Sequence, residues 1–321
     1  MKRFTRLAIT ISLCAASMTV FAQQYPSKPV KLVIPFPPAG ATDVLGRALG
    51  QKLSESLGQA VVIENRPGAG STIGAEQVAS APADGYTLLL ASGSICISAN
   101  LYKKLPFDPA KSFAPVSLVG HVPHMLVANP TVPANSVKEL IALAKSKPGE
   151  MNVASQGNGT LSHMELELFK LAAGVELTHV PYKGSSNAMT DLLAGNVSML
   201  FDSVTSSLPL VRKGQLKALG VVSPKRLTFA PDIPTITEAG VPGFDAANWF
   251  ALLAPAGTPK EIVQVLNTHV ARALESAELR QRLAAQGAVL ESSTPVALAI
   301  LIRDDLDRWA KVVKQAGIKL E

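Results

Sequence analysis

Along the chain, short apolar runs rich in β-favouring residues alternate with longer stretches whose apolar positions recur at helical spacing. The runs VKLVI at 30–34, VVI at 61–63, YTLLL at 86–90, VSLV at 116–119 and MLVA at 125–128 predict strands. MNVA at 151–154, THV at 178–180, VSMLF at 197–201 and LKALGV at 216–221 continue the series. Helix starts are expected where a hydroxyl and a carboxylate stand three residues apart, as in Ser136 with Glu139, Ser162 with Glu165 and Thr258 with Glu261. After Thr258, the residues Ile262, Leu266 and Ala273 share one face with Val263 and Val270 beside it. Strand and helix alternating this often predicts an α/β protein with largely parallel sheets. In such sheets ligands sit beyond the carboxyl ends of the strands, so the loops after the strands are where function is expected.

Two segments interrupt the alternation and predict crossings between lobes. One runs from 116 to 128 through Gly120-His121-Val122-Pro123-His124, the other is the extended stretch 244–255. If both join the same pair of lobes, residues 124–246 form one lobe, and residues 23–123 and 247–321 form the other, discontinuous one. A length of about 300 residues after the N-terminal segment agrees with two domains.

That N-terminal segment changes the picture. Lys2, Arg3 and Arg6 precede an uncharged run from Leu7 to Val20, followed by Val20-Phe21-Ala22. This is the layout of a cleavable export signal over residues 1–22, cut near Ala22. The run of about 14 residues is short of the roughly 20 that span a bilayer. Leu13 before Cys14 is a poor fit to lipid attachment, and Cys96 is then the lone cysteine of the mature chain, so no intrachain disulfide is expected. Loss of Lys2, Arg3 and Arg6 takes the formal charge from +6 to +3. With no dense basic run and 5% aromatic residues, nucleic-acid binding has little support, whereas a mild cationic excess suits an anionic ligand or ordinary solubility.

Several loops carry residues that suit an anion. Pro35, Pro37 and Pro38 stiffen the approach to Ala39, Gly40, Ala41, Thr42 and Asp43, where backbone amides meet a helix start. The same residues also make an ordinary tight connection, and both readings stay open. Ser92 and Ser94 after the third strand, and Gly159, Thr160, Ser162 and His163 in the second lobe, offer hydroxyls and exposed amides. Lys183, Asp202 and Ser203 follow two further strands. For Lys183 a solvated charge or a pairing with Asp202 is preferred over a ligand contact, and for His163 a place in the first helical turn. His121 and His124 flank Pro123 without a third ligand, so zinc is not expected. The spacing of Gly68, Gly70 and Gly74 misses the dinucleotide pattern, and no nucleophile elbow, phosphate loop or zinc-protease helix is present. No cofactor, no metal and no catalytic residue is expected. The rival reading is an exported hydrolase or lyase using His163 with Asp202 or Ser203.

Taken together, the segments PFPPAGATD at 35–43, ENRPGAG at 64–70, LYKKLPFD at 101–108, THVPYKG at 178–184, PDIPT at 231–235 and APAGTP at 254–259 resemble the Bug family. These are the periplasmic solute-binding receptors of tripartite tricarboxylate transporters. The resemblance runs through nearly the whole mature chain. It implies a periplasmic-binding-protein fold, type II-like, with two α/β lobes, a hinge and a ligand cleft. It implies a periplasmic monomer that captures a small carboxylate and passes it to membrane subunits of such a transporter, or else presents it to a sensor kinase. Residue by residue it points to Ala39, Gly40, Ala41, Thr42, Asp43, Ser92, Ser94, Gly159, Thr160, Ser162, His163, Lys183, Asp202 and Ser203. Two departures stand out. Ala39 replaces a usual Gly, and Ile95-Cys96 replace a more polar pair, which predicts a more apolar pocket there.

Overall fold

A computed structural model describes residues 25–318 apart from Asp245 and Ala247. The export signal and its cleavage point near Ala22 lie outside the described residues. In chain order the first elements are β1 (Val30–Ile34), α1 (Ala41–Leu57), β2 (Val61–Asn65), α2 (Thr72–Ala79), β3 (Thr87–Ser92), α3 (Ser94–Leu101) and β4 (Phe113–His121). Then follow β5 (His124–Ala128), α4 (Val137–Ser146), β6 (Asn152–Ser155), α5 (Leu161–Ala173), β7 (Thr178–Pro181), α6 (Ser185–Ala194), β8 (Met199–Ser203), α7 (Val204–Arg212) and β9 (Lys217–Val222). The chain ends with β10 (Trp249–Pro255), α8 (Lys260–Glu275), α9 (Ala277–Ala284), β11 (Val289–Leu290) and α10 (Pro295–Ala316).

The strands form two sheets, each the centre of an α/β lobe. One has the order β11-β4-β10-β3-β1-β2, the other β7-β6-β8-β5-β9. The chain leaves the first sheet through Val122-Pro123, between β4 and β5, and returns to it between β9 and β10. At the crossing the two passages touch, the Val122 amide donating to the Asn248 carbonyl at 3.0 Å.

The sheets are mixed rather than largely parallel. Pairs β1–β2, β1–β3, β6–β7 and β6–β8 are parallel, but β10 runs antiparallel to β3 and β4, and β5 antiparallel to β8 and β9. Both reversed strands are those that enter a lobe directly from the other one. A chain that crosses as an extended strand arrives from the cleft side, opposite to strands fed by a right-handed helical return. β10, read from sequence as an extended connection, is a fully buried strand at the centre of its sheet.

Local signals were partly kept. Ser136 caps α4, its Oγ accepting from the Glu139 amide. The cap of α5 is Thr160 rather than Ser162, whose hydroxyl instead donates to the Phe201 carbonyl at 2.6 Å. Thr258 donates to Pro255 and α8 starts after Pro259 without a side-chain cap. α10 packs on α3 and β4 and reaches α5 of the other lobe. Its residues Leu298, Ile302 and Trp309 belong to an apolar cluster that also contains Leu161, Met164 and Phe169 of α5. One side of the cleft is therefore closed by continuous core, which leaves the loops at the strand ends to line the other.

Candidate functional site

Between the lobes lies a narrow cavity with about 380 Å³ of space free of atoms, part of it open to solvent. Its wall takes Phe36, Pro37, Gly40, Ala41, Thr42, Ser92, Ser94, Asn248 and Phe250 from the first lobe. The second lobe adds His124, Gln156, Leu161, Ser185 and Ser203. Five helices present their N-terminal ends here. Gly40 and Ala41 open α1, Ser94 opens α3, Leu161 opens α5, Ser185 opens α6, and Ser203 is the N-cap of α7.

Four of these five, α1, α3, α6 and α7, have no side-chain hydrogen bond capping them. Away from the cavity, α4, α9 and α10 are capped by Ser136, Ser276 and Thr294, whereas α2 and α8 start without a side-chain cap. The first amides of a helix have no partner within it, so the uncapped ends leave N–H donors and partial positive charge facing the cavity. Among the described residues no Lys, Arg, Asp or Glu lines the wall, and His124 is the one titratable group there. Phe36, Pro37, Leu161 and Phe250 supply apolar surface for the body of a ligand. Neutral donors around an apolar slot suit a small organic anion.

The structure brings Gly40, Ala41, Thr42, Ser92, Ser94 and Ser203 of the expected residues to the wall. The others are not part of it. Asp43 is buried and accepts from the Ala39 amide, Arg47 and Asn65. Burial pushes its carboxyl up, but these hydrogen bonds outweigh burial and hold it below the usual carboxylate range. Asn65 also donates to the Phe36 carbonyl at 3.0 Å, so the carboxylate and the amide together clamp the first loop. Ala39 is exposed and keeps φ of 69°, a conformation easy for Gly and costly for Ala.

In the second lobe, Thr160 accepts from the His163 amide, and His163 Nδ1 accepts from the Gly159 amide at 3.4 Å. The His163 ring stacks on His179, centroids 4.3 Å apart, and burial pushes its pKa down. Asp202 is fully buried, accepting from Gln156 at 2.7 Å and Ser207 at 2.9 Å. It thus orients Gln156 on the wall. Lys183 is exposed. His163, Asp202 and Ser203 are not assembled as nucleophile and base. A Ser155–His179 contact of 2.6 Å has that look, but Ser155 is fully buried off the cavity and already accepts the Gly157 amide. Ile95 and Cys96 turn into the core under α10, Cys96 Sγ facing the Ile302 carbonyl, so they do not make the pocket apolar. Among the described residues no group of three or more His, Cys, Asp or Glu is placed to hold a metal ion.

Contacts between the lobes are close. A Cβ on Gly184 would lie 2.4 Å from Pro37 Cδ, and one on Gly70 would lie 2.2 Å from the Asn158 carbonyl oxygen. Ser98 donates to the carbonyls of both Gly70 and Gly159.

Comparison with known proteins agrees with this architecture. The model of the tripartite tricarboxylate transporter family receptor, TctC, matches residues 45–318. The chain belongs to this family of periplasmic solute-binding receptors. The TctC match is supported by Protein BugT of Bordetella pertussis, 41% identical over 98% of this chain and 97% of that one. Among solved structures, R. palustris Rpa4515 with adipate is 40% identical, with TM-score 0.89, covering 92% of this chain and 99% of the other. MatC from Rhodopseudomonas palustris with bound malate is 35% identical, with TM-score 0.86, covering 90% and 100%.

His124, Gln156, Leu161, Ser185 and Asn248 are wall residues that the sequence reading did not select. Gln156 and Ser185 lie inside loops it did single out. His124 follows the crossing Pro123. Asn248 carries no local signal, because only the pairing of β10 beside β3 brings it to the cavity.

Proposed function

We propose that this TctC receptor captures a small organic carboxylate between its lobes and delivers it, unchanged, to the membrane subunits of a tripartite tricarboxylate transporter. The observation that carries this reading is the convergence of five helix N-termini on a cavity whose wall, among the described residues, holds no Lys, Arg, Asp or Glu. In this reading the carboxylate takes amides and hydroxyls from Gly40, Ala41, Thr42, Ser92 and Ser94 on one side and Ser185 and Ser203 on the other. Contacts from both lobes favour the closed form, with Val122, Pro123, Ala246 and Asn248 at the hinge between the lobe of residues 124–246 and the rest. A micromolar ligand needs about 8 kcal/mol, which several charge-assisted hydrogen bonds plus an apolar body can supply without a cation. The adipate and malate of the related structures point to the same ligand class. The protein acts as a monomer, exported with cleavage near Ala22.

A thermal-shift panel of carboxylates, sugars and amines tests this. A carboxylate at 100 times its dissociation constant stabilises the protein by about 2.7 kcal/mol. Stabilisation by sugars or amines alone contradicts the reading.

A further inference from the structure

At the hinge end of the cavity, two side chains from neighbouring strands have polar atoms with no partner. Ser92 Oγ, at the end of β3, and Asn248 Oδ1, just before β10, are both unbonded, and their residues are only 4% and 5% exposed. Both residues line the cavity. Asn248 is not free to present either end of its amide. Its Nδ2 donates to His124 Nε2 at 2.9 Å, and His124 Nδ1 meets Glu165 Oε2 at 2.7 Å. His124 and Glu165 are 1% and 0% exposed, so the chain Glu165–His124–Asn248 runs from the core of the second lobe across the hinge to the wall contributed by the first.

With a neutral ring whose Nδ1–H donates to Glu165, Nε2 can only accept, so Asn248 turns its N–H towards His124 and its carbonyl oxygen towards the cavity. With a doubly protonated ring, Nε2–H needs an acceptor. The amide must then rotate, giving Oδ1 to His124 and the NH₂ group to the cavity.

We propose that Asn248 is a specificity-determining residue for the polar group of the ligand that reaches this wall, and that protonation of His124 sets which end of its amide that group meets. A neutral His124 selects a hydrogen-bond donor on the ligand, such as a hydroxyl or amide. A charged His124 selects an acceptor, such as a second carboxylate. The ionisable groups facing His124 are Glu165 from α5 and Asp202 from β8. Burial lowers the His124 pKa, but the charge and hydrogen bond of Glu165 outweigh it, with Asp202 adding to the rise, so the ring titrates above its ordinary value. The cations of the other elements packed nearby are engaged elsewhere, Lys217 of β9 with the Val132 carbonyl and Arg212 of α7 with the Phe229 carbonyl.

The inference rests on the carboxylate reading above, and its test separates the two. Calorimetric titrations between pH 6.5 and 9 compare adipate with its monoamide, and succinate with its monoamide. The affinity ratio of monoamide to dicarboxylate rises with pH by about tenfold or more, the effect of leaving one buried polar group unpaired. In His124→Gln the ratio is independent of pH. In Glu165→Gln, which keeps a hydrogen-bonding partner but loses the charge, the rise moves to lower pH. A ratio that stays constant in the wild type, or that rises equally in both variants, overturns the role of Asn248 while leaving carboxylate binding intact. Absence of binding by all four compounds while sugars or amines bind overturns both.

Discussion

Ser94 and Leu161 stand on opposite lobes, each the first residue of its helix, and the Leu161 amide donates to Ser94 Oγ at 3.2 Å inside the closed cleft. An open cleft cannot keep this bond. Ser94, whose hydroxyl takes the first amide of the partner lobe's helix, also lines the cavity, so in the proposed function closure and binding meet at one residue.

Replacing Ser94 with Ala removes that bond and one ligand-facing hydroxyl. A net loss of about 1 kcal/mol per hydrogen bond predicts carboxylate affinity weaker by roughly five- to thirtyfold, with little change in the melting temperature of the ligand-free protein. Titration calorimetry and a thermal melt on the same sample check this.

Gly70 is the closest approach between the lobes that a side chain would block. In Gly70→Ala the new Cβ meets a backbone carbonyl that no rotamer change can move. The lobes are held apart, and affinity falls by about tenfold or more. Small-angle scattering in saturating ligand should show a larger radius than for the wild type.

Asp43 is expected to act through the loop and not through the ligand. Asp43→Ala frees Ala39, Arg47 and Asn65 at once. Stability drops by about 2 kcal/mol, as for loss of hydrogen bonds to a buried charge, and affinity falls with it. Weaker binding with an unchanged urea midpoint would mean that the carboxylate faces the ligand instead.

Much of this could be read from the chain alone, and the failures have physical causes. Among the described residues the apolar runs mark nine of eleven strands, because buried central strands such as β1 and β3 are nearly continuous in apolar residues. Strand direction was not legible, since what reverses β5 and β10 is the passage between lobes and not their own residues. In the site, loop and helix-start residues such as Thr42 and Ser94 were recognisable from glycine, proline and hydroxyl patterns. The family resemblance points to Asp43 and His163 as ligand groups, yet Asn65 from β2 and His179 from β7 claim them through contacts that sequence neighbours do not reveal. Asn248 is the converse case, a wall residue defined by strand pairing alone.

Glu64 gives an acid-range test of the segment behind the first loop. Hydrogen bonds from Lys31 and Arg66 pull its pKa down to about 2. A carboxyl lowered on folding adds stability above its unfolded value near 4.5 and loses it as pH falls towards 2. Lys31 and Arg66 are half-exposed, so screening limits the contribution to about 1 kcal/mol. Glu64→Gln should therefore lose about 1 kcal/mol at pH 7 and show a shallower decline between pH 4.5 and 2 in urea melts.

In the proposed function, selection of a negative charge falls to the uncapped helix ends. Its most direct measurement is the affinity of adipate beside that of adipamide, the same skeleton with both charges removed, at fixed pH and salt. Adipate is expected to bind at least about 100-fold more tightly, a difference of about 2.7 kcal/mol. Equal or tighter binding of the diamide would contradict it.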